Sequence, residues 1–448
     1  MKKGLSVVNP HAAGIDIADQ EHWVAIHKED SYHVSRYGTF TRDLDSMVSY
    51  LKDNGITTVA IEATGVYYVC LFIKLEEAGI EPYLVNAKHV KNVTGRKQDD
   101  TDAIWMQKLH ACGLLQKSFQ PGFECRTLRS YVRHRKNLVT IGSDSVRRMQ
   151  KALELMNIKI HTVISDILGK TGQQMIEAII GGQHDPAELI KYKDRRVKAS
   201  DEVIIKSLEG IWKEEHLFEL KQAYETYQFH QKQIQECDIK IKDQLDKQTA
   251  IVKEGEILNE QDKISFNKQK GGKGKGKKTA KKNQYTFDAR SYLRKLLDTD
   301  ICAVPGISDI TALEVIAEIG GDVNAWARVN QFTRWLNVSP NTKSSGGKIL
   351  SSKIMKKKNY AGLSLRMSAM TMARNKTPLG DYYRRMRGKL GGRGAVVATA
   401  NKIARIIYTM IKHKKEYDIS MFKEAQQNYK TRQIKFYEKK IAELKKAS

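Results

Sequence analysis

The chain's 448 residues, 41% of them hydrophobic, are enough for two or three domains with real cores, which excludes a disordered protein. Lys and Arg outnumber Asp and Glu by 77 to 51, and the formal net charge of +26 exceeds what solubility needs. Nucleic acid, held in a salt-dependent way, is the expected partner.

Five scattered cysteines without a C-x-x-C pair indicate neither a disulfide framework nor a cysteine zinc site, and the twelve histidines lack an H-E-x-x-H spacing. The opening MKKGLSVVNPHAAGIDIADQ has no apolar run of signal-peptide length, and no later stretch approaches a membrane span. A cytoplasmic, nucleoid-associated protein is expected; a basic membrane-surface protein fits less well.

In chain order, AAGIDIA (12–18), HWVAIHK (22–28) and HVSRYGTF (33–40) are three extended segments, which predicts a meander. A helix from about Leu44 to Lys52 ends at DNG. The strand TTVAIEA (57–63), a helix over Tyr67 to Glu77, the strand PYLVNA (82–87) and a helix opening near Asp99 follow. The order β-β-β-α-β-α-β-α is that of the ribonuclease H fold, so residues 1–140 read as an α/β, ribonuclease H (RuvC)-like N-terminal domain.

Residues 141–258 read as a helical, coiled-coil middle region. Leu217, Leu220, Tyr224, Tyr227, Gln231, Ile234, Asp238, Ile241 and Leu245 fall on alternating three- and four-residue steps, a seam that Gln231 and Asp238 interrupt. Two readings fit: a coiled coil with another chain, its polar residues fixing register and partner number, or a helix packed within its own domain. Residues 259–284, with NKQKGGKGKGKKTAKKNQ, are a Gly/Lys-rich linker, a tether whose lysines can also clamp a phosphate backbone.

Residues 285–420 form the expected mostly α C-terminal domain. VPGISDITALEVIAEIGG (304–321) sets Pro305 and Gly306 before a helix, a helix-hairpin-helix-like element whose turn either presents N–H groups to phosphate or is an ordinary turn. WARVNQFTRWLNVSP reads as an amphipathic helix and a break, and NTKSSGGKILSSKIMKKKN (341–359) as a polar stretch. Helices through Tyr382 to Arg387 and Val396 to Lys412 precede a basic C-terminal helix, 421–448.

RKQDDTDAIW (96–105) packs Asp99, Asp100 and Asp102 into a basic chain. Taken locally, acids suit a helix N-terminus. A ribonuclease H-like sheet gives them another use. Asp16 lies inside the apolar strand GIDIA, where a carboxylate is costly unless it meets a metal or cation, and Glu62 ends VAIEATG. Asp99 and Asp102, three apart, share one helical face, while Asp100 points elsewhere. Four carboxylates from two strands and a helix can hold two Mg²⁺ ions, with Mn²⁺ as a substitute, about 3.5–4 Å apart around a phosphodiester.

GIDIADQEHWVAI, AIEATGVY and GRKQDDTDAIWMQKLHACGLL resemble the DEDD-type insertion-sequence transposases, the RNA-guided recombinase family that also contains the Piv DNA invertase. The likeness runs on through LRSYVRHR and RRMQKALELMNIKIHTVISDILG to SSGGKILSS and TPLGDYYRRMRGKLG, which look like that family's transposase domain. The resemblance assigns the four acids to Asp16, Glu62, Asp99 and Asp102. Members commonly read K-T-D at the third acid, where this chain has Lys97-Gln98-Asp99, so Asp100 is an alternate ligand if the helix starts late.

On residues alone, a Ser-Gly-rich loop is usually a turn. The resemblance makes the serine directly before glycine, Ser345, the nucleophile, with Ser344 the weaker alternate. Lys343, Lys348, Lys353, Lys356, Lys357 and Lys358 are candidate nucleic-acid contacts around it. Asn337 replaces a glycine common in members, and both residues tolerate positive φ.

The resemblance further implies transesterification through a phosphoserine, a structured guide RNA encoded by the element, donor and target DNA as substrates, and a homo-oligomer, either a dimer or a tetramer built as a dimer of dimers. Two rivals stand beside it: a RuvC-like junction nuclease using metal-activated water, and a non-catalytic RNA- or DNA-binding scaffold.

Overall fold

A computed structural model describes residues 6–63, 65–86, 99–253 and 283–420, with isolated positions 427, 431, 434, 437 and 438 beyond them. Most of the Gly/Lys linker and of the basic C-terminal segment therefore lies outside the described residues, as do Arg96 to Gln98. The chain divides into two compact units, Met1–Gln120 and Pro121–Ser448.

The first unit is a five-stranded mixed sheet: β1 (Ala12–Ile17), β2 (Glu21–Lys28), β3 (Ser31–Gly38), β4 (Thr58–Glu62) and β5 (Glu81–Val85), in the order β3-β2-β1-β4-β5. The first three strands pair antiparallel, as the meander predicts, while β4 lies parallel to both β1 and β5. Parallel neighbours need crossovers, supplied by α1 (Thr41–Asp53) and α2 (Tyr68–Glu77).

α1 buries Leu44, Met47, Val48 and Leu51, the spacing of one helical face. With Leu71 and Leu75 of α2 they cover the sheet face formed by Ala13, Ile15, Val59 and Ile61. α3 (Asp99–Ala111) takes the opposite face, packing Met106 and Leu109 on Ala60 and Val85.

Among its described residues, the second unit is helical apart from one hairpin. Two long helices, α4 (Phe123–Leu155) and α9 (Glu214–Lys253), open the unit; between them come α5 (Ile160–Val163), α6 (Lys170–Ile180), α7 (Pro186–Leu189) and α8 (Asp201–Leu208). The expected boundary at residue 140 falls inside α4.

The seam of α9 faces α4 in the same chain. Arg135 meets Asp238, Leu138 packs with Ile234 and Cys237, and Gly142 lies under Tyr227 and Gln231, so numbers rise on one helix as they fall on the other and the pair is antiparallel. Leu220, Ile241 and Leu245 are fully buried. Of the two readings of the seam, packing within the domain is the one realised: its apolar residues are used inside the chain.

Asp238 interrupts the seam because it has a partner. Its carboxylate accepts from Arg135 Nε at 2.5 Å and from the Thr286 N–H at 3.1 Å. Arg135 also donates to the carbonyls of Asn283 and Gln284 and stacks over Tyr285, 4.1 Å from its centroid. The buried pair thus fixes where the chain rejoins the α4–α9 pair after residue 282.

α10 (Ala289–Leu297), α11 (Asp309–Ile319), α12 (Val329–Trp335), α13 (Tyr360–Thr371) and α14 (Pro378–His413) complete the unit. In the helix-hairpin-helix-like turn, Gly306 has φ 88° and packs on the end of α13: a Cβ there would fall 3.2 Å from the Ser368 oxygen and 2.6 Å from Cε of Met372, the residue after the helix. Ser308 caps α11 by accepting from the Thr311 N–H. Both features are those of a packed, capped turn. The two expected helices at 382–387 and 396–412 are one run, broken at Gly391 with φ 71° and ψ 177°.

Candidate active site

Asp16 is the one half-buried residue in a strand whose other residues are all buried, and Glu62 holds the same position in β4. Ile15 pairs with Ile61 in the parallel ladder, so Asp16 and Glu62 are the next residues on adjacent strands, at their C-terminal ends. Strand alternation places both on the α3 face, opposite Ile15 and Ile61. The registers extend the row: Trp23 lies across from Asp16, Arg36 across from Trp23, and Val85 beside Glu62. The Arg36 guanidinium sits 5.8 Å from the Trp23 ring centroid and 3.3 Å from Glu21. No motif pointed to Trp23 or Arg36; only the strand pairing brings Trp23 beside Asp16 and Arg36 next to Trp23 in the same row.

The level of α3 is set by three contacts. His110 Nε2 lies 2.9 Å from Thr58 Oγ1, and Gln107 Nε2 donates to the Ala12 carbonyl at 3.1 Å. At Gly14 the helix comes so close that a Cβ would fall 2.4 Å from both the Ala103 oxygen and the Gln107 nitrogen. The helix therefore descends the sheet against the direction of β1. Four more helical residues, about 6 Å, match two strand residues, about 6.6 Å. That step carries the backbone from Ala103 to Asp99 as the strand passes from Gly14 to Asp16.

Asp102 is exposed in the first turn of α3. The side chains of Asp99 and Asp100 lie outside the described residues, and among the described residues no group of three or more His, Cys, Asp or Glu gathers as a metal site. The candidate donor set is carboxylate oxygen alone, the chemistry of a hard cation such as Mg²⁺ and not of zinc.

Ser345 belongs to the second unit. The polar stretch, with its Ser-Gly-rich loop expected as a turn, forms a β-hairpin, β6 (Lys343–Ser345) and β7 (Lys348–Ser351), with its turn at Gly346 and Gly347. Both glycines have left-handed φ, 54° and 75°, the form a two-residue hairpin turn demands. The signal was the Gly-Gly pair between two short runs. Ser345 pairs with Lys348 and Ser344 with Ile349, so the two serines take opposite faces and only Ser345 shares its face with a described lysine side chain.

The hairpin's foot is clamped. Asn337 has φ 56°, as the tolerance of asparagine allows, and its buried amide donates to the carbonyls of Met355 and Lys357 while accepting from the Met355 N–H. The Asn341 N–H donates to Lys353. Lys348, Lys353, Lys356, Lys357 and Lys358 are exposed around it; the Lys343 side chain lies outside the described residues.

Sequence reading missed a second cationic group at this foot. On α14, Asn401 donates to Val338 O and Ser339 Oγ. Beside it, partial burial, and then Arg405 and Arg385, push the Lys402 ammonium below its usual range. Arg405 donates to Asn330 at 2.7 Å.

Residues 13–158 match the DEDD model of the IS110 transposases, a match that runs from β1 through the first unit and along α4. Residues 298–384 match the model described as transposase of the IS116/IS110/IS902 family, which spans the hairpin. Together the two matches cover just over half of the chain. No curated protein matches it.

Proposed function

Because the chain belongs to the IS110 family of transposases, enzymes that move DNA by cutting and joining it, we propose that it does so through a serine ester assisted by four carboxylates. The first unit is then a ribonuclease H-like domain. Asp16, Glu62, Asp99 and Asp102 would hold two Mg²⁺ ions, Asp100 standing by as alternate. When bound, such ions polarise the phosphodiester and stabilise the attacking and departing oxygens.

In the proposed reaction, Ser345 Oγ loses its proton and attacks phosphorus. A bond from phosphorus to Oγ forms as the bond to the leaving strand's oxygen breaks, and that oxygen takes up a proton. The hydroxyl of the incoming strand later attacks the same phosphorus and expels Oγ. One phosphoester is exchanged for another, so no ATP is consumed. Lys348, paired with Ser345 across the hairpin, neutralises charge as it develops. The observation that carries this reading is that pairing, joined to two adjacent carboxylates on parallel strands.

Donor and target DNA are the substrates, and the surface lysines hold their phosphates. Family resemblance adds a structured RNA from the element as guide and an oligomer, a dimer or a dimer of dimers, in which Ser345 serves its own or a neighbouring chain's acids. With the α9 seam used internally, the oligomer rests on the need to hold two duplexes. No helix among the described residues is long and apolar enough to cross a membrane.

Strand cleavage by Ser345→Ala and Asp16→Asn tests the scheme. Both should abolish cutting with DNA binding retained. Continued cutting by Ser345→Ala would favour a nuclease that uses metal-activated water, and full activity of Asp16→Asn would favour a non-catalytic scaffold.

A further inference from the structure

Ile349 and Leu350 are each 69% exposed, at the middle of the strand that returns from the Gly-Gly turn. Isolated apolar residues at a surface need no explanation, but here two large ones stand in succession on a strand that has no buried face. Here the ladder passes from Ser344–Ile349 directly to Lys343–Ser351, which leaves Leu350 as the extra residue of a bulge. A bulge re-aims a side chain and is over-represented beside active sites. Two large aliphatic side chains left in water forgo the free energy of burial, so a surface that keeps them out has a use for them.

The surroundings indicate what meets this pair. Lys348 directly precedes Ile349, and Lys353, Lys356, Lys357 and Lys358 follow within nine residues, all exposed. A protein surface would bring apolar partners but would have to offset this dense positive charge; a nucleic-acid duplex supplies the phosphates and, inside its stack, the apolar ring faces. Proteins that bend DNA insert aliphatic side chains between base steps in this way. The foot is fixed for such a thrust by the Asn337 amide, which ties 337 to both 355 and 357.

We propose that Ile349 and Leu350 form an apolar wedge that enters the base stack of duplex DNA next to the phosphodiester presented to Ser345, opening the step where strands are exchanged. The proposal rests on the reading of this hairpin as the arm that carries the nucleophile. Ile349 and Leu350 are positioning residues: they touch bases and not the reacting phosphate.

The test uses the full-length protein with its co-purifying RNA and duplexes spanning the end of the element that encodes it, with 2-aminopurine placed in turn at steps around the junction. The wild-type protein should raise fluorescence several-fold at one or two adjacent steps. Ile349→Ser/Leu350→Ser should remove that rise while weakening DNA binding less than tenfold, and Ile349→Met/Leu350→Met should keep it. A duplex already unpaired at that step should restore adduct formation to the Ser/Ser variant. Ser345→Ala should retain the full fluorescence rise, so loss of the covalent step and loss of the wedge are read separately. An unchanged rise in the Ser/Ser variant overturns the wedge. So does a change in its oligomeric mass with an unaltered DNA signal, which would assign the pair to a contact between copies.

Discussion

Asp16 and Glu62 lie near the C-terminal ends of strands in which every other residue is buried, with a helix held against the sheet by backbone contact at Gly14, whereas Ser345 ends a three-residue strand whose hairpin partner is exposed over most of its length. The two candidate groups are carried in opposite ways because they would have opposite tasks. Ligands that share an ion must be fixed within about 0.5 Å, which suits the middle of a packed sheet. A nucleophile that must reach a duplex gains from standing proud of its unit, with rigidity supplied only at the foot by Asn337.

Substitutions at the two places should therefore fail differently. The largest effect is expected in the sheet. Asp16→Asn or Glu62→Gln should lower recombination by at least about 100-fold, and EDTA should match it, while thermal melting stays near that of the wild type. Retained activity in EDTA would break the contrast at once, since the acids would then have no ion to hold.

Second in size is the α4–α9 pair on which the second unit is built. Asp238→Ala leaves Arg135 charged and buried and should cost about 3–5 kcal/mol of stability, read by denaturant unfolding. Arg135→Met/Asp238→Leu should recover much of that loss.

Third comes Gly14→Ala, whose methyl has no room against Ala103 and Gln107 and should cost about 1–3 kcal/mol. The same change should impair cleavage, because it lifts the start of α3 from Asp16. In that unit His110 is 1% exposed, and burial pushes its pKa down to about 4. The unfolded chain takes up a proton near pH 6.5 and the folded one does not, so stability is complete above that pH and falls as pH drops towards 4. His110→Gln should flatten this slope in pH-dependent melting curves.

The smallest effect is expected in the hairpin. Gly347→Ala forces a side chain into left-handed φ at about 1–2 kcal/mol of local strain, and should slow cleavage by about tenfold without moving the global melting transition. A large drop in melting temperature would show that the hairpin is part of the core, and the distinction between the two regions would fall.

The same contrast governs what the sequence discloses. Strands of the first unit are legible because they are buried: AAGIDIA and TTVAIEA are apolar runs in which Asp16 and Glu62 stand out. The register that sets Trp23 beside Asp16, and Arg36 next to Trp23, carries no such mark. Asp238 is visible as a break in the seam, but its partner is 103 residues away and had no signal of its own. The hairpin escaped for the reverse reason: exposed on both faces, it shows no alternation of apolar and polar residues, and only Gly346-Gly347 marks it. At Asn337 the tolerance of positive φ was readable, while the amide clamp it forms depends on a segment 18 residues on.

The account turns on the covalent step, and one measurement addresses it directly: trapping with a nicked substrate, protease digestion and mass spectrometry of the peptide that carries the DNA. The adduct should lie on Ser345, vanish in Ser345→Ala and persist in Ser344→Ala. An adduct on Ser344 would move the nucleophile to the other face of the hairpin, away from Lys348, and free ends with no adduct on either serine would contradict the serine ester altogether.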